Sequence, residues 1–303
     1  MRKNIRGVLC IAVSLIIYGC TQCGGGGHNN AMEHVMNLVN IGPHPSGSDA
    51  IIKAQDYIID ALKKIGLEVI EDNFIADTPI GRKQMKNIIG ILHGTTREII
   101  ALGAHYETKY FTEFTFVGAN DNCSGTGLLI EIARQLKESR FASDFTYWFV
   151  FLDGEECFVS WSESDSLYGS RHLVEKLRTS GDIYTMKVFL LLDMIGDKDL
   201  EICRERASTQ WINDIIWDVA KKKGFTNYFK DCYKTVVDDH VSFLKAGISS
   251  VDIIDFCYGG TTSPGMYWHT PYDTLDKLSP QSLKIVQEVI FDSLPRIQME
   301  LKK

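Results

Sequence analysis

Short apolar runs alternate along the chain with segments of helical periodicity. Strands are predicted at Glu98–Gly103, Tyr147–Leu152, Lys187–Leu192 and Ser250–Ile254. Helices are predicted at Ala50–Ile65, Gly125–Lys137 and Trp211–Lys223, followed by a last helix from Ser279 towards Glu300 that is kinked or interrupted at Pro295. Because strands alternate with helices of this length, we predict an α/β fold, a three-layer α/β/α sandwich around a mixed, mostly parallel sheet.

Two adjacent carboxylates follow one of these strands directly. The apolar run Tyr147–Leu152 is followed by Asp153 and Gly154, and then by Glu155 and Glu156. An adjacent acidic pair is usually part of a solvated loop. In an open α/β sheet, however, ligands bind beyond the carboxyl ends of the strands, which is where this pair falls.

Other predicted strands and loops carry similar side chains. The candidates are His105, Asp121, Glu155, Glu156, Asp193, Asp238, Asp239, His240 and His269. Each one alone is more often structural, because a loop aspartate commonly caps a helix. Together they supply carboxylates and imidazoles without a cysteine pair. This combination suits a catalytic zinc ion with three protein ligands and one open position.

The first residues indicate an exported protein. A basic start (Arg2, Lys3 and Arg6) precedes the apolar stretch Val8–Tyr18, which is too short to span a bilayer comfortably. The segment Ile17–Cys20 resembles a bacterial lipobox. We therefore predict a lipoprotein-type signal peptide at residues 1–20 with Cys20 lipidated, a glycine-rich tether at 21–30 and one catalytic domain at 31–303. Cleavage by an ordinary signal peptidase is the alternative.

The predicted location follows from that reading. The protein would be periplasmic or at the cell surface, and it would contact a membrane through its lipid anchor only. The net charge of −7 and the pI near 5.6 argue against a nucleic-acid partner. The cysteines show no zinc-finger spacing, and the sequence leaves their pairing open. Cys123 and Cys157 are expected to be small buried thiols.

The chain resembles the glutaminyl-peptide cyclotransferases, or glutaminyl cyclases, which share a fold with the zinc aminopeptidases. The resemblance covers nearly the whole chain after the tether. It rests on motifs in a shared order, at Gly42–Gly47, His105–Phe111, Asp153–Glu156, Trp161–His172, Asp238–His240 and Trp268–Thr270. It implies that the protein converts the N-terminal glutamine of peptides or proteins to pyroglutamate and releases ammonia.

The resemblance also implies a ligand set. One zinc ion per chain would be bound by Asp121, Glu156 and His269. Trp161 and Trp268 would line the pocket for the N-terminal residue.

The same resemblance implies the roles of the remaining acids. Glu155 would be the general acid/base, and Asp193 and Asp238 would support it through a hydrogen-bonded acidic network. Because neighbouring carboxylates cannot all ionise freely, some protons would be shared among them.

Two other functions stay open. His105 and Asp193 could complete a two-metal site bridged by Asp121, with Glu155 activating water, as in an aminopeptidase. Against this, the first motif has Glu107 where the peptidases typically have aspartate. The third possibility is a binding protein on an inactive peptidase fold, although the chain keeps every candidate metal ligand.

Overall fold

The computed structural model describes residues 30–139 and 143–303. The predicted signal peptide, Cys20 and nearly all of the tether lie outside this part of the chain. Within it, none of the helices is both long enough and apolar enough to cross a membrane.

The described part of the chain contains eight strands, seven helices and two short 3₁₀ turns, joined by loops. The strands are β1 (Glu68–Thr78), β2 (Gly81–Leu92), β3 (Ile99–His105), β4 (Thr146–Leu152), β5 (Met186–Asp193), β6 (Ile202–Glu205), β7 (Phe229–Lys234) and β8 (Ser249–Ile254). The helices are α1 (Ala31–Val39), α2 (Asp49–Ile65), α3 (Cys123–Glu138), α4 (Tyr168–Ser180), α5 (Gln210–Lys222), α6 (His240–Lys245) and α7 (Pro280–Leu301).

Six strands form the central sheet in the order β1-β2-β4-β3-β5-β8. The pairs β1–β2 and β2–β4 are antiparallel, and the other three pairs are parallel. The strands β6 and β7 form a separate parallel pair. The sheet is therefore mixed and mostly parallel, as predicted.

Helices cover both faces of this sheet, because side chains along each strand point alternately to opposite sides. In β5, Val188 and Leu190 pack into a core with α1, α2, α3, α5 and α7, whereas Phe189 and Leu191 pack into a core with α4 and α6. The Phe189 ring also leaves no room for a side chain at Gly103 on the neighbouring strand β3. A Cβ atom at Gly103 would lie 2.4 Å from Phe189 Cζ, so no larger residue fits there. The three-layer sandwich is confirmed.

The predicted elements are present with small changes at their ends. Helix α2 begins after Ser48, whose Oγ accepts a hydrogen bond from Ile51 N at 3.2 Å, and ends at Gly66 with φ of 81°. Helix α7 continues through Pro295 without an interruption, because buried side chains such as Leu294 pack on the core along its whole length.

The structure also supplies the cysteine pairing. Cys203 on β6 and Cys232 on β7 form a disulfide. Cys123, Cys157 and Cys257 are free and buried, in agreement with the expectation for the first two. The hairpin β1–β2, the pair β6–β7 and the helices α1, α4 and α6 were not predicted from the sequence.

Candidate active site

The candidate site residues meet at the carboxyl ends of three adjacent parallel strands, β4, β3 and β5. Glu155 and Glu156 follow β4, while His105 ends β3 and Asp193 ends β5. The two strand-end residues thus belong to the strands themselves. In open α/β sheets this edge is where ligands bind, so the position agrees with the sequence-based expectation.

Asp121, Glu156 and His269 converge on one point. One ligand atom from each lies within 4.8 Å of the other two. His269 Nε2 is 2.8 Å from Glu156 Oε1 and 3.2 Å from Asp121 Oδ2. Both carboxylates are buried, and the imidazole is mostly buried. Two carboxylates and one imidazole at these distances fit a zinc ion with a fourth position left open.

Backbone contacts hold Asp121 in place. The Asp273 carboxylate accepts hydrogen bonds from Asn120 N at 2.8 Å and from Asp121 N at 3.0 Å. Tyr258 donates its hydroxyl to the same carboxylate at 2.8 Å. Gly118 approaches so closely that a Cβ atom there would lie 2.3 Å from the Asp121 carbonyl oxygen. The loop before α3 is therefore built around the position of Asp121.

His269 is held in an unusual backbone conformation. Its φ of 54° lies in the left-handed region, which costs a residue other than glycine roughly 1–3 kcal/mol. Its imidazole stacks on the ring of Trp268 at a centroid distance of 3.7 Å, and Phe116 meets it edge-on. The surrounding aromatic rings thus stabilise an imidazole orientation that the backbone alone would not favour.

Glu156 has two further partners that the sequence did not assign to the site. Glu107 accepts a hydrogen bond from Glu156 N at 3.1 Å, and Lys109 Nζ lies 2.7 Å from Glu156 Oε2. Both residues are in the motif that begins at His105, directly after β3. That position was the only signal in the sequence that could have pointed to them.

The adjacent carboxylates Glu155 and Glu156 have pKa values shifted in opposite directions. Burial raises the pKa of Glu155 well above its usual range, and the nearby charges of Glu156 and Asp238 raise it further. Burial would also raise the pKa of Glu156, but the charge of His269 holds that pKa below its usual range. One carboxyl is thus suited to carry a proton and its neighbour to stay ionised.

Two more acids share this environment. Burial raises the pKa of Asp193, although His105 opposes the shift. Burial, followed by the charge of Asp193, raises the pKa of Asp238 to about 7. Since Glu155, Asp193 and Asp238 line one pocket, a proton can be retained among them near neutral pH.

A second group of possible metal ligands adjoins the first. His105 Nε2 lies 3.3 Å from both Asp121 Oδ1 and Asp193 Oδ1. Ligand atoms of these three residues also lie within 4.8 Å of one another. This is the position where the sequence left a two-metal site open.

The pocket above these residues has a volume of about 470 Å³. Its apolar wall contains Trp161, Trp268 and Phe256. Trp161 is 40% exposed at the mouth, and Trp268 is partly buried with its ring edge-on to Phe256 at 5.4 Å. Both tryptophans singled out in the sequence therefore line the cavity.

The three residues of the motif Asp238–His240 lie in different environments. Asp238 lines the pocket, but Asp239 and His240 are fully buried and do not line it. His240 is the first residue of α6 rather than a loop residue, and its Nε2 lies 3.2 Å from Glu205 Oε2 at the end of β6. These two candidates thus lie outside the pocket wall.

Comparison with known proteins agrees with the geometry. Residues 87–294 match the model of peptidase family M28. The chain is 30% identical to the glutaminyl-peptide cyclotransferase of Gloydius blomhoffii, over 85% of this chain and 78% of the relative.

Two solved structures are similar over nearly the whole described chain. A glutaminyl cyclase from an Acidobacteriales bacterium is 40% identical, with a TM-score of 0.84 over 89% of this chain and 94% of the other. A Zn-dependent exopeptidase from Parabacteroides distasonis is 26% identical, with a TM-score of 0.79 over 87% and 96% of the two chains. The resemblance inferred from the sequence is confirmed. The chain belongs to peptidase family M28, and within that family it is similar to the glutaminyl-peptide cyclotransferases along most of its length.

Proposed function

We propose that this protein is a glutaminyl-peptide cyclotransferase that acts on peptides or proteins with an N-terminal glutamine. The observation that carries the proposal is a buried carboxyl with a raised pKa, Glu155, beside a three-residue ligand group in a tryptophan-lined pocket. In the reaction, the α-amine of glutamine attacks its own side-chain amide carbon. The new C–N bond closes the ring, and the former amide nitrogen leaves as ammonia.

Asp121, Glu156 and His269 would hold one zinc ion per chain. When bound, such an ion polarises a carbonyl and stabilises the negative charge that develops on its oxygen. The similar exopeptidase from Parabacteroides distasonis is Zn-dependent, which supports the choice of zinc. Lys109 and Glu107 would position Glu156 by holding its carboxylate and its backbone N–H, respectively.

Glu155 would act as the general acid/base. It would accept a proton from the attacking amine and deliver one to the departing nitrogen, which requires a pKa near the working pH. Burial and the neighbouring Glu156 and Asp238 supply that upward shift. Asp193 and Asp238 would support the role by sharing protons with Glu155.

The tryptophans would define the binding pocket. Trp268 would form an inner wall, since it is partly buried and stacks on His269. Trp161, at the mouth, would cover the bound N-terminal residue. Apolar walls of this kind exclude water from the reacting amide, which favours ring closure over hydrolysis.

Aminopeptidase activity is the second candidate. The observation in its favour is the group of His105, Asp121 and Asp193, whose ligand atoms are close enough to bind a second ion. In that case Glu155 would activate a water molecule for peptide hydrolysis.

One assay separates the two activities. The purified protein is given Gln-initiated peptides and ordinary aminopeptidase substrates, and ammonia and free amino acid are measured in parallel. Ammonia without amino acid supports the cyclotransferase, and the reverse result refutes it. Metal analysis is the companion measurement, because about one zinc per chain agrees with the cyclotransferase and about two with the peptidase.

We further propose that the protein is exported and held at a membrane by lipid on Cys20. The basic start, the apolar stretch and the lipobox-like segment support this proposal. The disulfide Cys203–Cys232 also supports export, since disulfides persist mainly in oxidising compartments. Mass spectrometry of the mature protein tests whether Cys20 carries a lipid. In membrane fractionation, a Cys20→Ser variant should lose the lipid and leave the membrane fraction.

A further inference from the structure

A second cavity of about 630 Å³ adjoins the active-site pocket. Trp161 and Val237 line both cavities, and they are 40% and 51% exposed. An apolar boundary made of two exposed side chains therefore joins the two spaces. A peptide whose first residue fills the active-site pocket has to leave through its mouth, and this boundary offers its next residues a continuous surface.

The two cavities differ sharply in charge. Five carboxylates line the active-site pocket, against Lys109 and His269. The second cavity is instead lined by Arg171 and Arg178 of α4 and Lys245 of α6, together with two glutamates, Glu163 and Glu175. The active-site pocket is thus lined mainly by acids and metal ligands, whereas the adjoining cavity has a small excess of cations.

The two arginines are the cations available to a ligand. Lys245 pairs with Glu163 at 3.0 Å. The Arg171 guanidinium donates to the Leu167 and Ser166 backbone oxygens, and Arg178 donates to a backbone oxygen only. Across residues 30–139 and 143–303, neither arginine has a carboxylate within 4.0 Å. Glu175 lines the same cavity and offsets part of their charge.

The arginine spacing matches a peptide in length. Arg171 and Arg178 lie about two turns apart on α4, which is about 10 Å along the helix axis. An extended chain covers that distance in about three residues. A peptide lying along α4 in the second cavity would therefore pass both guanidinium groups within about three residues.

We propose that this second cavity is a subsite for the segment that follows the N-terminal residue of the substrate, and that it favours acidic side chains there. This inference rests on the proposed function, because it assumes that a peptide N-terminus occupies the first pocket. Two solvent-accessible arginine–carboxylate contacts, partly opposed by Glu175, should favour an acidic over a basic segment about fivefold.

Three peptides test the subsite directly: Gln-Ala followed by four glutamates, four lysines or four serines. We expect kcat/KM for ammonia release to be highest for the glutamate peptide, intermediate for the serine peptide and lowest for the lysine peptide. Arg178→Glu should abolish or reverse the order. Lys64→Glu makes the same charge change at an exposed position on α2 and should leave the order intact. Raising the salt to about 0.5 M should weaken the preference.

The outcomes separate the subsite from the proposed function. Equal kcat/KM for all three peptides in the wild-type protein, or an order unchanged by Arg178→Glu, refutes the subsite and leaves the cyclotransferase intact. No ammonia from any of the peptides refutes the cyclotransferase. In that case, calorimetric Kd values for the same peptides still decide the subsite, because binding needs no turnover. Equal Kd values then refute it, and tighter binding of the glutamate peptide supports it.

Discussion

Replacing Glu155 by glutamine removes one proton-carrying group and leaves the shape of the pocket almost unchanged. We expect the variant to bind zinc as the wild-type protein does. The reason is that Glu156, not Glu155, belongs to the ligand group with His269, and that Glu107 and Lys109 hold Glu156 through contacts that do not involve the Glu155 side chain.

The expected loss of activity follows from what remains in the pocket. A positioned general acid/base contributes roughly 10²–10⁴ to the rate. Asp193 and Asp238 also line the pocket, and the pKa of Asp238 is raised to about 7, so one of them can carry part of the proton transfer. We therefore expect kcat to fall about 10³-fold, which is about 4 kcal/mol of transition-state stabilisation.

Stability should not decrease with this substitution. Burial, and then the charges of Glu156 and Asp238, raise the pKa of Glu155 well above its usual range, so the folded protein favours the uncharged carboxyl and a neutral amide removes no stabilising charge. We expect the Tm of Glu155→Gln to equal or exceed that of the wild-type protein. A lower Tm would mean that the carboxyl makes a stabilising contact that this reasoning overlooks.

The assay follows ammonia release from a Gln-initiated peptide, with zinc content and Tm measured on the same preparations. Glu33→Gln makes the same chemical change at an exposed position of α1 and should leave kcat and zinc content unchanged; because Glu33 lies in the first turn of α1, its Tm should fall slightly. A kcat within tenfold of wild type at full zinc content would refute the acid/base role. Loss of zinc would show instead that Glu155 is a ligand.

Three further outcomes are expected. His269→Ala should weaken zinc affinity, measured by competition with a chelator. Losing a residue that only supports a ligand costs roughly 10–100-fold in affinity, and losing a ligand should cost more. Unchanged affinity would exclude His269 as a ligand. Replacing Cys203 and Cys232 by serine opens a cross-link between residues 29 apart and should lower the free energy of urea unfolding by about 3–4 kcal/mol; no change would argue against the pairing. Lys176→Met should cost about 1 kcal/mol at pH 7, because Lys176 is half exposed beside the buried Asp72. Burial would raise the pKa of Asp72, but His172 and Lys176 hold it below 3.8, so the cost should disappear as the pH falls through that lowered pKa; a cost that persists at low pH would contradict the ion-pair explanation.

The strands next to the active site were predictable because they are buried on both faces. β3, β4 and β5 read as continuous apolar runs, and their ends place the acids at one edge of the sheet. β1 gave no such signal, since it is an edge strand with only two buried residues among its eleven. Helix α4 begins after Leu167, in a left-handed conformation without a side-chain cap, so the usual sequence mark of a helix start is missing.

The roles of neighbouring residues depend on contacts that sequence patterns do not contain. Glu155 and Glu156 are the same residue type at adjacent positions, and the resemblance to a family, not their own chemistry, implied different roles for them. The structure provides a physical difference. The Glu156 carboxylate contacts the imidazole of His269, which lies 113 residues further along the chain, whereas Glu155 lies near other acids. The pairing of Cys203 with Cys232 was equally open in the sequence.

The sequence by itself determined the layered α/β fold, the family, and the acids and imidazoles that a zinc-dependent enzyme would use, because these follow from local apolar runs and from motifs in order. Only the tertiary structure decided which carboxyl is buried among acids, which one lies against an imidazole, and which arginines line the cavity beside the active-site pocket. A pKa and an ion pair depend on burial and on distances of a few ångströms, and folding sets both between residues far apart in the chain.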